Sequence, residues 1–486
     1  MGRRINSRIL DAIAKRNEPA LQEGTGTGMH KLLLSAILVV ALVFRLKGIE
    51  NPLLDDQAWR QADTASMALN MLGRLSDIPS VFFPYLNYDG RVPQRVELEF
   101  PFLPYLLAVT WSILGWADIW GRFWAVGFSL LAVWGIYDLS RQIFSERAGL
   151  IAAGIYAVLP LSVYYGRVVM PEPITQAFSI WALSLIQRKR GREQVLAFLG
   201  PALLMAAAIL AKLPQLMLFP VAILLGFWPF NQKKVAGLFS YTLVALLPPM
   251  VYYIGVHIGV AADSQFVSGI LSQQVAHNSV LDWETLFRHL RGGVLVGIPF
   301  LAVVGAARVF FLERSPARIA LSVWLGISLL YITVVCVRIS LDYYLLPVVP
   351  LISLLSGAAL DMLDRVPGTI AGIIVISLVI YYSTWIIQPK YIWDARYLTQ
   401  AVWLRENTLP NSVLVLSDGP PMTFYYARRV GFRLIHSDDR QAFQDLGKIP
   451  ANFLVVLPKT AREESFLQQV RQSYPEVGPG VFRLQN

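Results

Sequence analysis

Charge is scarce in this chain. Only 15% of its 486 residues are Asp, Glu, Lys or Arg, against 55% hydrophobic, and at a mean hydropathy of +0.51 the apolar surface exceeds what a soluble domain buries. A polytopic membrane protein follows. Cysteine is nearly absent: Cys336 alone, inside an apolar run, excludes an intrachain disulfide framework and leaves the redox compartment unread. No Gly-rich phosphate loop follows the strand-like VLVLSDG (413–419), so a nucleotide site has no support. Internal repeats are lacking as well, which weighs against a transporter built from two matching halves. The net charge of +10 is not a nucleic-acid signal, because the Lys and Arg gather in short loops between apolar segments.

What is present is a series of twelve apolar, helix-length segments running from 32–49 to 368–387. Several fall short of the roughly 20 residues that a perpendicular span needs. If all twelve crossed, the basic cluster Arg188, Lys189, Arg190 and Arg192 would share a side with the long 50–100 segment, against the positive-inside bias. The conflict disappears if 99–117, opened by Pro101 and Pro104, lies in the interface. The expectation is a mainly α protein of about eleven spans in a plasma (inner) membrane, N-terminus cytoplasmic and C-terminus outside. Residues 1–30 read as a basic cytoplasmic tail and 31–387 as the transmembrane domain. Outer loops fall at 50–120 and 258–292, and 388–486 reads as a small extracytoplasmic α/β domain in which VLVLSDG, PPMTFYYARR, NFLVVLP and VFRL alternate.

Against this background the carboxylates stand out. Asp55, Asp56 and Asp63 lie in LLDDQAWRQADTASMALNML and Glu172 in YYGRVVMPEPITQAF, both at span boundaries, where a charge is costly unless it meets water, a cavity or a ligand. Each has a plain alternative. Asp55 or Asp56 could cap a helix starting near Ala58, Glu172 could serve a helix dipole, Lys212 and Arg338 could be snorkelling anchors, and Tyr343, Tyr344 and Trp59 could be interfacial or packing aromatics. His277, Asp282, Glu284 and His289 could bind a metal in principle, but their spacing matches no ligand motif.

Four segments together carry a resemblance: WRQADTASMALN (59–70), EFP (99–101) followed by Arg122, RVVMPEP (167–173) and RISLDYYLLPVVP (338–350). In this order they resemble glycosyltransferase family 39, the aminoarabinose and protein O-mannosyltransferases of the GT-C superfamily. The resemblance implies a polyprenyl-phosphate-linked sugar donor and a lipid, glycan or protein acceptor, with no nucleic acid involved. It also implies that Asp55 or Asp56 supplies the base and that Glu172 lines the same cavity. The familiar Asp-Glu pair is Asp55-Asp56 here, which makes Asp63 a rival base. Where such proteins often carry a Lys before the Pro of the interfacial helix, this chain has Phe100. The phosphate partner is then sought among Lys212, Arg338 and Arg167, with Trp59, Arg60, Glu99, Arg122, Tyr343 and Tyr344 as further substrate-binding candidates.

The chemistry asks for the same residue types. Transfer from a lipid phosphate needs a base at the acceptor hydroxyl or amine, cations against the departing phosphate, and an apolar groove for the prenyl tail. In-line displacement would invert the anomeric centre. No metal ligand is assigned, and no cofactor is required, although a divalent metal stays open. A transporter or flippase, or a non-catalytic polysaccharide-assembly protein, would also explain the many spans. Neither calls for acids and cations gathered at one membrane face.

Overall fold

The computed structural model describes residues 23–77, 83–260, 266–276, 280–312, 317–417, 421–434, 444, 446–457 and 461–484. Most of the basic tail, His277 and the last two residues of VLVLSDG lie outside the described residues. Among the described residues six helices are long and apolar enough to cross a bilayer: Gly28–Leu46, Asp118–Ile143, Gln232–Ile258, Ala317–Cys336, Asp342–Leu360 and Arg365–Ile386. A seventh span results if the bent pair Trp283–Leu295 and Pro299–Phe311, hinged by 78°, is taken as one. The remaining apolar helices are shorter because the sequence interrupts them: Pro160, Pro173 and Pro214 occupy first-turn positions, where the missing N–H costs nothing. Ser145 caps Glu146–Val158 by accepting from the Ala148 amide at 3.0 Å.

The helix Asp342–Leu360 lies at the centre of the bundle, 94% buried over its most apolar window, whereas Gly28–Leu46 and Arg365–Ile386 are each 17% buried. Leu32, Val43, Ile373 and Trp385 are exposed there, an apolar belt of the kind that faces lipid tails. Close approach depends on small residues. A Cβ on Gly305 would meet the Leu355 carbonyl oxygen at 1.9 Å, and one on Gly357 the Ala148 carbonyl at 2.7 Å.

The segment expected to lie in the interface forms the 13-residue helix Phe102–Leu114, about 20 Å long at 1.5 Å per residue and too short to span ~30 Å of hydrocarbon. With Ala58–Met71 it frames the loop between the first two long helices. A two-stranded antiparallel ribbon, β1 (Tyr85–Leu86) and β2 (Gln94–Arg95), sits between them.

Beyond the last long helix the described residues form a five-stranded sheet of order β4-β3-β5-β7-β6. β3 (Val413–Ser417) pairs in parallel with β4 (Val430–Leu434) and β5 (Phe453–Val456), and β7 (Val481–Arg483) pairs antiparallel with β5 and β6 (Glu476–Gly478). β3 and β5 are buried throughout, which explains their unbroken apolar runs. The sheet is keyed to the membrane part. Tyr425 and Tyr426 each donate at 2.6 Å to the two oxygens of Asp118, while Gly431 exchanges backbone bonds with Asn87 and Gly90.

Candidate active site

The site begins with a helix that neither aspartate caps. Gln57, in the left-handed conformation at φ 61°, precedes Ala58–Met71 without any side-chain cap, so Asp55 and Asp56 are turned elsewhere. Asp55 is fully buried between two guanidinium groups. It pairs with Arg167 and lies 3.3 Å from Arg122, and its Oδ1 also accepts from Gln61 at 2.6 Å. Arg122 further donates to the Pro52 carbonyl (3.0 Å) and Arg167 to that of Gly48 (2.7 Å). Asp56 pairs with Lys390, which also reaches Asp342 at 2.7 Å, and Tyr165 donates to Asp342 at 2.5 Å. These two networks fasten the first loop to the bundle and to the segment after the last helix.

A second constellation is gathered around Arg60. One nitrogen of its guanidinium, Nη2, donates to both oxygens of Glu99, at 3.1 and 2.8 Å, a charge-assisted contact. One helical turn on, Asp63 Oδ2 lies 4.0 Å from Arg60 and accepts from the Tyr88 hydroxyl at 3.3 Å. Burial pushes the Asp63 carboxyl up to about 7, against the opposing pull of Arg60 and the Tyr88 bond. Burial would raise Glu99 too, yet Arg60 and Lys212 outweigh it and hold Glu99 below the usual carboxylate range. Neighbouring carboxyls are thus driven apart.

Lys212 occupies an extended break between Leu199–Ala211 and the turn Leu213–Leu218, two residues before Pro214, which has no N–H to continue the helix onto the Leu210 carbonyl. It is ion-paired with Glu172, in the first turn of Glu172–Arg188, and its ammonium lies 4.3 Å from the Tyr343 ring centre and 5.4 Å from that of Tyr344. Asp63 Oδ1 and Glu172 Oε2 are buried and make no hydrogen bond of normal geometry. Beside Lys212 and Glu99 opens a cavity of about 180 Å³, otherwise lined mainly by apolar and aromatic side chains including Tyr253, Ile270, Tyr331 and Tyr344.

The sequence candidates therefore divide. Arg60, Asp63, Glu99, Glu172, Lys212, Tyr343 and Tyr344 come together, and Asp55, Arg122 and Arg167 form a separate buried triad. Trp59 is 41% exposed beside them. Arg338 turns its guanidinium back to the carbonyls of Val334 (2.8 Å) and Thr333 (3.4 Å) at the end of its own helix, whereas Lys212 lines the cavity. Sequence reasoning passed over Tyr88, Tyr165, Asp342 and Lys390. Asp342 stood inside RISLDYY and Lys390 just past the last span, so an acid and a base at one boundary were the available signal. Of the metal-capable set, Asp282 caps a helix through the Thr285 amide and accepts from Ser340. Among the described residues no group of three or more His, Cys, Asp or Glu could hold a metal ion.

Residues 98–253 match the family described as dolichyl-phosphate-mannose-protein mannosyltransferase. That stretch contains EFP, Arg122 and RVVMPEP, two of the motif segments singled out above. No curated protein sequence matches the chain. Among solved structures it is similar to ArnT from Cupriavidus metallidurans bound to undecaprenyl phosphate, with a TM-score of 0.66 at 14% identity, covering 94% of this chain and 98% of that one. The archaeal oligosaccharyltransferase AglB from Archaeoglobus fulgidus, in complex with an inhibitory peptide and a dolichol-phosphate, matches with a TM-score of 0.60 at 13% identity, over 94% of this chain and 74% of that one. The chain shares the fold of these two structures, with a small C-terminal sheet domain, and the family match falls on two of the four motif segments.

Proposed function

We propose that this chain is a membrane glycosyltransferase that moves a sugar from a polyprenyl-phosphate donor to an acceptor hydroxyl or amine, with inversion. The observation that carries the reading is the meeting of Lys212, Arg60 and two tyrosines with Asp63, Glu99 and Glu172, of which Lys212, Glu99 and Tyr344 line an apolar cavity. An isoprenoid tail suits such a cavity, and the phosphate suits the cation beside it. Lys212 has three N–H donors, of which Glu172 engages one, and the others serve the phosphate. Asp63 serves as the base. The acceptor oxygen or nitrogen attacks the anomeric carbon, its proton passes to Asp63, and the carbon–oxygen bond to the phosphate breaks with its electron pair leaving on the phosphate. Lys212 and Arg60 stabilise that departing charge. Asp55, held by two arginines, is assigned to the architecture.

The reaction is assigned to the outer face. Helices that begin at the site end in charge: Asp118–Ile143 carries Arg141, Glu172–Arg188 closes on Arg188, and Arg365 opens the helix that returns towards Lys390. The basic residues at the far ends would be cytoplasmic by the positive-inside bias, which puts the C-terminal domain outside.

The test is release or transfer of labelled sugar from a polyprenyl-phosphate sugar by purified protein, with water serving as acceptor where no other is supplied. Turnover by wild type and its loss in Asp63→Asn and Lys212→Ala supports the reading. A transporter would turn over nothing in any variant.

A further inference from the structure

A cleft of about 650 Å³ opens between the first loop and the segment leading into the C-terminal domain, lined among others by Asp55, Gln57, Trp59, Trp393, Arg396 and Tyr397. Its size is that of small-ligand sites, roughly 300–1,000 Å³. It lies apart from the apolar cavity beside Lys212, and the two share no lining residue. We propose that this cleft receives the acceptor, and that the acceptor is a carbohydrate. The proposal rests on the transferase reading given above and adds to it the acceptor's place and class.

Three features of the cleft point to a sugar. Two indoles, Trp59 and Trp393, contribute to the wall, with Trp59 exposed. The electron-rich face of an indole attracts partly positive hydrogens, and the C–H bonds on one face of a pyranose supply them. Beside them Asp394 and Arg396 form an ion pair at 2.7 Å, offering acceptors and donors in one plane, the arrangement that adjacent hydroxyls satisfy. An extended lipid tail would instead call for an aliphatic channel.

The third feature connects the cleft to the chemistry. Trp59 and Asp63 are four residues apart on one helix and hence on one face. A sugar resting on Trp59 therefore presents its hydroxyls towards Asp63. Arg433 of β4 lies over both Trp59 (5.6 Å) and Tyr88 (4.2 Å) and is anchored at 3.1 Å to Asp89. The C-terminal domain thereby fixes the aromatic wall, which gives that domain a part in acceptor recognition.

The test measures binding without any donor, so that its failure leaves the donor reading standing. Full-length protein in detergent is applied to an array of defined oligosaccharides of hexose, pentose and N-acetylhexosamine units, with Ser/Thr-rich peptides printed alongside. The expected result is retention on one or more oligosaccharides, weakened by about tenfold or more in Trp393→Ala, as for loss of an aromatic anchor, and largely restored in Trp393→Phe. Trp134→Ala, on a helix far from the cleft in sequence and exposed in the apolar belt, should bind as wild type does. Retention on peptides alone, no retention on any oligosaccharide, or equal binding by Trp393→Ala would each overturn the proposal.

Discussion

Replacing Asp63 by Asn separates a catalytic carboxylate from a structural one, because the two roles predict opposite effects on stability. Asp63 is 3% exposed, and burial carries its carboxyl from the ordinary 3.8 to about 7. At 1.36 kcal/mol per pH unit, ionising it inside the fold costs ~4 kcal/mol relative to the unfolded chain. The sign follows from proton binding. Between about 4 and 7 the native state holds the proton and the unfolded chain does not, so the contribution of Asp63 to stability is full below pH 4 and is lost as pH rises through 7. Asn keeps the shape without the charge. In detergent, Asp63→Asn should therefore melt higher than wild type at pH 8, and the gap should close towards pH 4. Transfer should meanwhile fall by ~10²–10⁴-fold, the usual worth of a general base. In wild type, kcat/KM should drop on the acid side of about pH 7 as the base is protonated. Transfer by Asp63→Asn within about tenfold of wild type would refute the assignment. So would a lower melting point at pH 8, which would mark the carboxylate as an ion-pair partner of Arg60.

Asp55→Asn should behave oppositely: it leaves Arg122 and Arg167 buried and unpaired, so the melting point should fall by the equivalent of ~3–5 kcal/mol, while whatever folded protein remains keeps its acid-side pH profile. Lys212→Ala should weaken donor binding by about 10–100-fold, the worth of a charge-assisted hydrogen bond to phosphate, as read by titration with polyprenyl phosphate. Arg338→Lys should leave that affinity within about twofold, since the side chain serves its own helix end.

Much of this was legible because membranes make charge informative. In a chain so poor in charged residues, Asp55, Asp56, Asp63 and Glu172 could be picked out, and Pro101 and Pro104 marked a helix that the structure shows to be 13 residues long. The buried strands 413–417 and 453–456 were visible as apolar runs, whereas Val430–Leu434, with Gly431 and Arg433 within it, and the three-residue Glu476–Gly478 carry too little pattern to announce themselves. The partition of the acids was not legible. Asp55 and Asp63 lie eight residues apart on one short stretch, yet the first faces two arginines contributed by other helices or their ends and the second faces Tyr88. Those partners are 112, 67 and 25 residues distant, and no local spacing encodes them. Arg338 looked equivalent to Lys212 because both end apolar segments. Only packing shows that Lys212 sits in an extended break beside a cavity, while Arg338 folds back on its helix.

The central claim is that the lipid phosphate sits with Lys212 and that the prenyl chain occupies the cavity beside it. A structure of the full-length protein with bound polyprenyl phosphate tests this most directly. The account predicts phosphate oxygens within about 2.7–3.1 Å of Lys212 Nζ, with the Arg60 guanidinium or the Tyr344 hydroxyl beside them and the first isoprene units against Ile270 and Tyr331. A phosphate found instead against Arg122, Arg167 or Lys390, with the Lys212 cavity empty, would contradict it.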